Sequence, residues 1–173
     1  MTETHPAEPS PAPGLPAPEK LEGLGPTTPA DYAVLNAIYG ALLAALLIAT
    51  RTHDGEDARI GHVELLPLGA ATFSLSKLIA HERIGVWLRE PFVDEGDGHR
   101  RPRGRHLRRA IGELVTCTRC VGAWSGLGLV GLRTLSPSAG RTVTAVLAVS
   151  AVNDFLQAGF RAVTEKANTL AAR

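Results

Sequence analysis

Glu113, Cys117, Cys120 and Trp124 are the residues whose types and spacing best suit chemistry in this sequence. Spaced by four, three and four positions, they form one continuous stripe if the segment is a helix. Two thiols on one face can ligate a metal, close a reversible disulfide, or serve as small polarisable packing groups. A CxxC pair supplies only two of the four ligands of a structural zinc site. A metal at Cys117 and Cys120 would therefore draw on His81, His99 or His106, or on a second subunit. A reducing compartment disfavours a permanent disulfide, so packing or helix contact is the leading expectation, with metal, redox and acylation as alternatives. No phosphate-binding Gly loop, HExxH, GxSxG or paired catalytic carboxylates occur. No cofactor is expected, and an ordinary enzyme is not.

The stripe needs an element to hold it, and the composition shows which kind. The chain has 173 residues, 18 Lys and Arg against 17 Asp and Glu, and two cysteines. That length allows one compact domain or a handful of membrane helices, and the cysteine count excludes a disulfide-rich scaffold. Mean hydropathy is +0.06, an average over unlike parts. Eight of the twelve prolines fall in residues 1–30, where alternation such as Pro9-Ser-Pro11-Ala-Pro13 predicts a disordered, partly polyproline-II tail. This tail has neither the basic start nor the apolar core of a cleavable signal peptide.

Residues 31–173 read as a helical membrane domain. Tyr32 to Thr50 runs for nineteen residues without a charge, about 28 Å of helix, close to a bilayer's hydrocarbon thickness. Apolar side chains cover all its faces, which a small soluble protein could not bury. Further spans are expected over 65–80, 114–132 and 142–160; the second is short, suggesting a re-entrant or interfacial alternative. The last three contain Lys77, Arg119 and Asp154 respectively. Charges in hydrocarbon are costly unless paired, so a buried polar layer is expected in which Arg119 or Lys77 neutralises Asp154. Gly122 and Gly126 form a GxxxG, a surface for close helix approach within the chain or in a homo-oligomer.

Lys and Arg set the orientation. With four spans, twelve fall on the side of the termini and central loop and four on the other. The positive-inside rule then places both termini in the cytoplasm of a multi-pass cell-membrane protein. Acidic Asp54, Glu56 and Asp57 collect in the first outer connection. Trp87, beside arginines at the start of the central loop, suits a membrane interface or a short amphipathic cover over the bundle. Arg100, Arg101, Arg103, Arg105, Arg108 and Arg109 follow within ten residues. Anionic headgroups of the bilayer are their expected partner. Nucleic acid is not, since no stacking aromatics or base-reading helix accompanies them.

The blocks LGAATFSLSKLIAHERIGVWLREPFVD, LRRAIGELVTCTRCVGAW and VNDFL make the sequence similar to a family of small bacterial membrane proteins. That family is catalogued as domain of unknown function 1360, and some members are labelled sporulation proteins. The resemblance runs from about Leu65 to about Phe160. Its central motif, Glu-Leu-x-x-Cys-Pro-x-Cys-x-x-x-Trp, is matched by Glu113, Leu114, Cys117, Cys120 and Trp124. Thr118 stands where the family commonly has proline, and Lys77 where arginine is common. The resemblance implies an integral membrane protein and carries no activity with it.

The sequence thus predicts an all-α bundle of three to four transmembrane helices behind a Pro-rich tail. Its expected function is a non-enzymatic structural or interaction component of the membrane. The alternative is a cytoplasmic-face thiol-redox or metal site at Cys117 and Cys120, with Glu113 nearby as acceptor or base. A minor alternative is a transporter subunit working through Asp154.

Overall fold

Thr28-Pro29-Ala30-Asp31 closes on itself through the Asp31 carboxylate, and the first helix begins there. A computed structural model describes residues 27–52, 59–96 and 99–171, and its α1 spans Pro29–Thr52. The Asp31 carboxylate accepts from the Thr28 N–H and hydroxyl, each at 2.8 Å. Pro29 takes the first helical position, where a missing N–H removes no helix bond. The helix therefore starts at Pro29 rather than Tyr32. The expected tail, up to residue 26, and the acidic connection at 53–58 lie outside the described residues.

Helix α2 (His62–Ala80) leads through a 3-10 turn at Arg83–Gly85 into the single turn α3 (Val86–Arg89). A two-stranded ribbon follows, β1 (Val93–Gly96) and β2 (His99–Pro102), antiparallel with Asp94 opposite Arg101 and Glu95 opposite Arg100. The all-α expectation holds for the bundle, and the ribbon is an addition to it. Opposite charges directly across a ladder favour pairing. Then come α4 (His106–Thr116), α5 (Thr118–Leu135) and α6 (Pro137–Ala171).

Helix α2 is central, packed on α5 and α6, while α1 lies to one side against α4 and α5. The contacts are made by small groups and a few leucines. Leu68, Ala71 and Leu129 form the buried cluster, flanked by Ile60, Leu75 and Leu147, and Phe73 stacks on Phe155 with ring centroids 5.3 Å apart. Close approach through small residues is how helices pack when solvent supplies no hydrophobic drive. A Cβ on Gly126 would sit 3.6 Å from Thr72 Cγ2, whereas one on Gly122 would meet nothing within 4 Å. Gly126 is thus used between α5 and α2 of one chain, and Gly122 is left open.

Three helices, α1, α2 and α6, are each long and apolar enough to cross a membrane. Helices α4 and α5 make a fourth candidate if taken together, but they are bent by 88°. This corrects the expected continuous span over 114–132. Cys117, at φ −100° and ψ 107°, is extended and belongs to neither helix. The end of α4 is closed locally, because the Thr116 hydroxyl donates to the Gly112 and Glu113 carbonyls at 2.9 and 3.1 Å. The Cys117 sulfur then accepts from the Cys120 N–H at 3.4 Å, capping the start of α5.

The ribbon end is organised around Arg89, which is fully buried. Its Nη1 donates to the Ile79 and Glu82 carbonyls, and its Nε donates to Glu95 Oε1 at 2.6 Å. Arg100 donates to the Ala80 and His81 carbonyls at 2.8 and 3.2 Å. Together the two guanidiniums satisfy the Ile79 and Ala80 carbonyls that end α2 and the His81 and Glu82 carbonyls just beyond it. Gly85 permits the approach, since a Cβ there would lie 2.5 Å from the Leu78 carbonyl oxygen.

Candidate functional site

The break at Cys117 positions the site. On α1, Tyr32, Leu35, Asn36 and Tyr39 recur at helical spacing and turn toward α4 and α5. They face Glu113 on α4, Cys117 at the break, and Cys120 and Trp124 on α5, and the two sides line a half-open cavity of about 580 Å³. The four residues expected as one helical stripe therefore do not share a helix. They converge all the same, because the 88° bend folds α4 and α5 around one space.

Each group has a defined neighbour. The Tyr32 hydroxyl donates to Glu113 Oε2, and Arg109 Nε donates to Glu113 Oε1 at 3.3 Å. Tyr39 meets Trp124 edge to face, with centroids 5.3 Å apart and planes at 75°. Both cysteines are free, and the Cys120 thiol donates to the Cys117 sulfur at 2.8 Å. With the Cys120 N–H also directed at it, the Cys117 sulfur receives two donors at a helix N-terminus, a setting that favours thiolate. Among the described residues, no group of three or more His, Cys, Asp and Glu could hold a metal ion. His81, His99 and His106 are absent from the cavity wall, and His106 Nδ1 instead lies 3.7 Å from Asp31.

Thr118 is the first residue of α5. Proline is well tolerated there, so the bend is built by Cys117 and Thr116 with threonine in that place. Arg119 is the second residue of α5 and exposed, not deep within a span. Lys77 takes the partner role beside Asp154: its Nζ donates to Asp154 Oδ2 at 3.0 Å and lies 3.3 Å from Glu82.

The arginines of the central loop also bind within the chain. Besides Arg100, Arg103 reaches Asp94 at 3.1 Å and Arg108 donates twice to the Pro91 carbonyl. Sequence reasoning missed three features. Tyr32, Asn36 and Tyr39 form a polar and aromatic edge on α1, which a reading of this helix as apolar on every face passes over. A count of Lys and Arg by connection puts Arg89 in the central loop and Arg133 in an outer one. Both are instead buried, Arg133 on Glu64.

The fold and site together define a small helical bundle with membrane-length helices and a dithiol at a helix break. The chain belongs to the protein family of unknown function DUF1360, whose model matches residues 67–160. The match takes in the ribbon, the break and Asp154, and begins after α1. Neither a curated protein nor a solved structure matches the chain.

Proposed function

We propose that this chain is a multi-pass integral membrane protein acting as a non-enzymatic structural or interaction component. One observation carries the reading: none of the apolar window of α1 is buried inside the protein. Leu42, Leu47 and Ile48 of α1 are half exposed or more. A helix this apolar and this uncovered is stable only with lipid or another apolar surface around it. In this reading α1, α2, α5 and α6 cross the bilayer, and α3, α4 and the ribbon cap the cytoplasmic face. Exposed arginines of the cap, Arg101 foremost, contact anionic headgroups, and Gly122 offers a place for a second copy. Asp154 serves as the structural partner of Lys77.

Alkaline carbonate extraction tests membrane integration: the chain is expected to stay in the membrane pellet, and its release would overturn the reading. A reporter fused after Arg173 should be active only in the cytoplasm.

A second reading, thiol redox at the cytoplasmic face, is favoured by the meeting of Cys117 and Cys120 on the wall of one cavity. Closing and reopening of a disulfide there, followed by alkylation and mass shift, tests it.

A further inference from the structure

The dithiol sits beside an apolar space of small-molecule size, about 580 Å³. Leu35 and Leu114 contribute apolar wall, and the Tyr39 and Trp124 rings stand edge to face beside the thiols. Besides the thiols and the polar tips of Tyr39 and Trp124, polar character comes from Tyr32, Asn36 and Glu113. We propose that this cavity takes the ring of a lipid-soluble quinone, which Cys117 and Cys120 reduce to the quinol. This rests on the thiol-redox reading above.

Four features select that class of substrate. An apolar site walled by a helix that the bundle leaves uncovered is reached from the bilayer, so the ligand partitions into lipid. Flat rings pack favourably against aromatic edges and faces. The Asn36 amide supplies the hydrogen-bond donor that a ring carbonyl oxygen requires. A dithiol gives up two electrons, which is what a quinone accepts. A charged peptide disulfide, the usual soluble oxidant of such a pair, would have to desolvate against apolar walls and beside the Glu113 carboxylate.

The step balances. The Cys117 thiolate bonds to an electrophilic carbon of the ring. The Cys120 sulfur then attacks the Cys117 sulfur, forming the S–S bond and breaking the S–C bond, whose electron pair stays on the ring. The two protons lost by the thiols are the two gained by the ring oxygens, with Glu113, bonded by Tyr32, as the carrier on the cavity wall. One dithiol and one quinone thus become one disulfide and one quinol.

The test is a single turnover with full-length protein in nanodiscs, reduced, freed of reductant and kept anaerobic. Decylubiquinone is added, quinol formation is read by absorbance, and free thiols are counted by maleimide mass shift. Quinol and lost thiols are expected in the ratio of one to two, with the Cys120→Ser variant forming no quinol. The Tyr39→Leu variant should need roughly fivefold more quinone for half conversion, while diamide closes its disulfide as in the parent chain. If diamide closes the disulfide of the parent chain and decylubiquinone does not, the quinone proposal is overturned and the thiol-redox reading stands. If neither closes it, both fall.

Discussion

Glu64 and Arg133 join α2 to α5 at the end of the bundle opposite the ribbon, through Nε–Oε2 and Nη2–Oε1 bonds of 2.8 and 2.9 Å. Arg133 is almost fully buried, whereas Glu64 keeps a third of its side chain exposed. The close packing of α6 at Gly140 against the Arg133 backbone closes that side. Loss of one partner from a buried pair leaves an uncompensated charge, and replacing both removes the charges together. Arg133→Met is expected to lower stability by about 2 kcal/mol, less than the ~3–5 of a fully enclosed pair because Glu64 is partly solvated. Adding Glu64→Leu should restore most of the loss. Denaturant unfolding in detergent checks this, and an additive double variant would refute the coupling.

Arg89 links the end of α2 to the ribbon, so its removal should loosen both. Arg89→Met deprives the Ile79 and Glu82 carbonyls and Glu95 of their donor. Limited proteolysis in the 90–103 segment is expected to rise at least severalfold, with a smaller change at α6. Gly85→Ala should produce the same pattern without touching a charge, because its Cβ would collide with the Leu78 carbonyl.

The same pair predicts a pH dependence. The Arg89 guanidinium holds the Glu95 carboxyl below its ordinary value of 4.5. A depressed carboxylate contributes stability that is present above the ordinary value and lost as pH falls through the lowered one. Ribbon protection should therefore hold from neutral pH to about 4.5 and decline below it. The Glu95→Gln variant should lose that acid-dependent part and start less protected at neutral pH. Hydrogen exchange of the ribbon amides at graded pH distinguishes the two profiles.

Lys77 and Asp154, rather than Arg119 and Asp154, form the ion pair between α2 and α6. Exchanging Lys77 and Asp154 should restore membrane abundance lost in Lys77→Asp or Asp154→Lys alone. The Arg119→Asp/Asp154→Arg exchange should rescue nothing, because Arg119 lies exposed in the first turn of α5. Immunoblots of membrane fractions read the outcome, and rescue by the Arg119 exchange would contradict the geometry.

What could be read from the sequence followed from local rules. Apolar length located α1, α2 and α6, because a long uncharged run has few alternatives. Spacing brought Glu113, Cys117, Cys120 and Trp124 together correctly but by the wrong route, since periodicity assumes that a helix continues. The break depends on how Thr116 and Cys117 spend their side chains on nearby backbone groups, and hydropathy is blind to that. Arg89 and Arg133 were misplaced for a related reason: a charge count cannot tell a solvated guanidinium from one buried on helix-end carbonyls or on a carboxylate. The α1 wall of the cavity needed the tertiary fold, since nothing in Tyr32 or Tyr39 states which helix they face.

The position of Thr118 supplies the sharpest test of the break itself. As the first residue of α5, its N–H is one of the orphan donors that every helix start leaves over. Thr118→Pro should therefore keep the bend, the cavity and the stability of the chain within about 0.5 kcal/mol, or stabilise it slightly by restricting the unfolded state. Three residues on, the Val121 N–H bonds the Cys117 carbonyl at 2.9 Å. Val121→Pro removes that bond and sets a ring against the carbonyl behind it, a loss of ~3 kcal/mol or more. Were α4 and α5 one continuous helix, residue 118 would lie in its interior and Thr118→Pro would be as damaging as Val121→Pro. Thermal unfolding of the two variants, with maleimide labelling rates of Cys117 and Cys120 as the local readout, separates a helix start at 118 from a helix that runs through it.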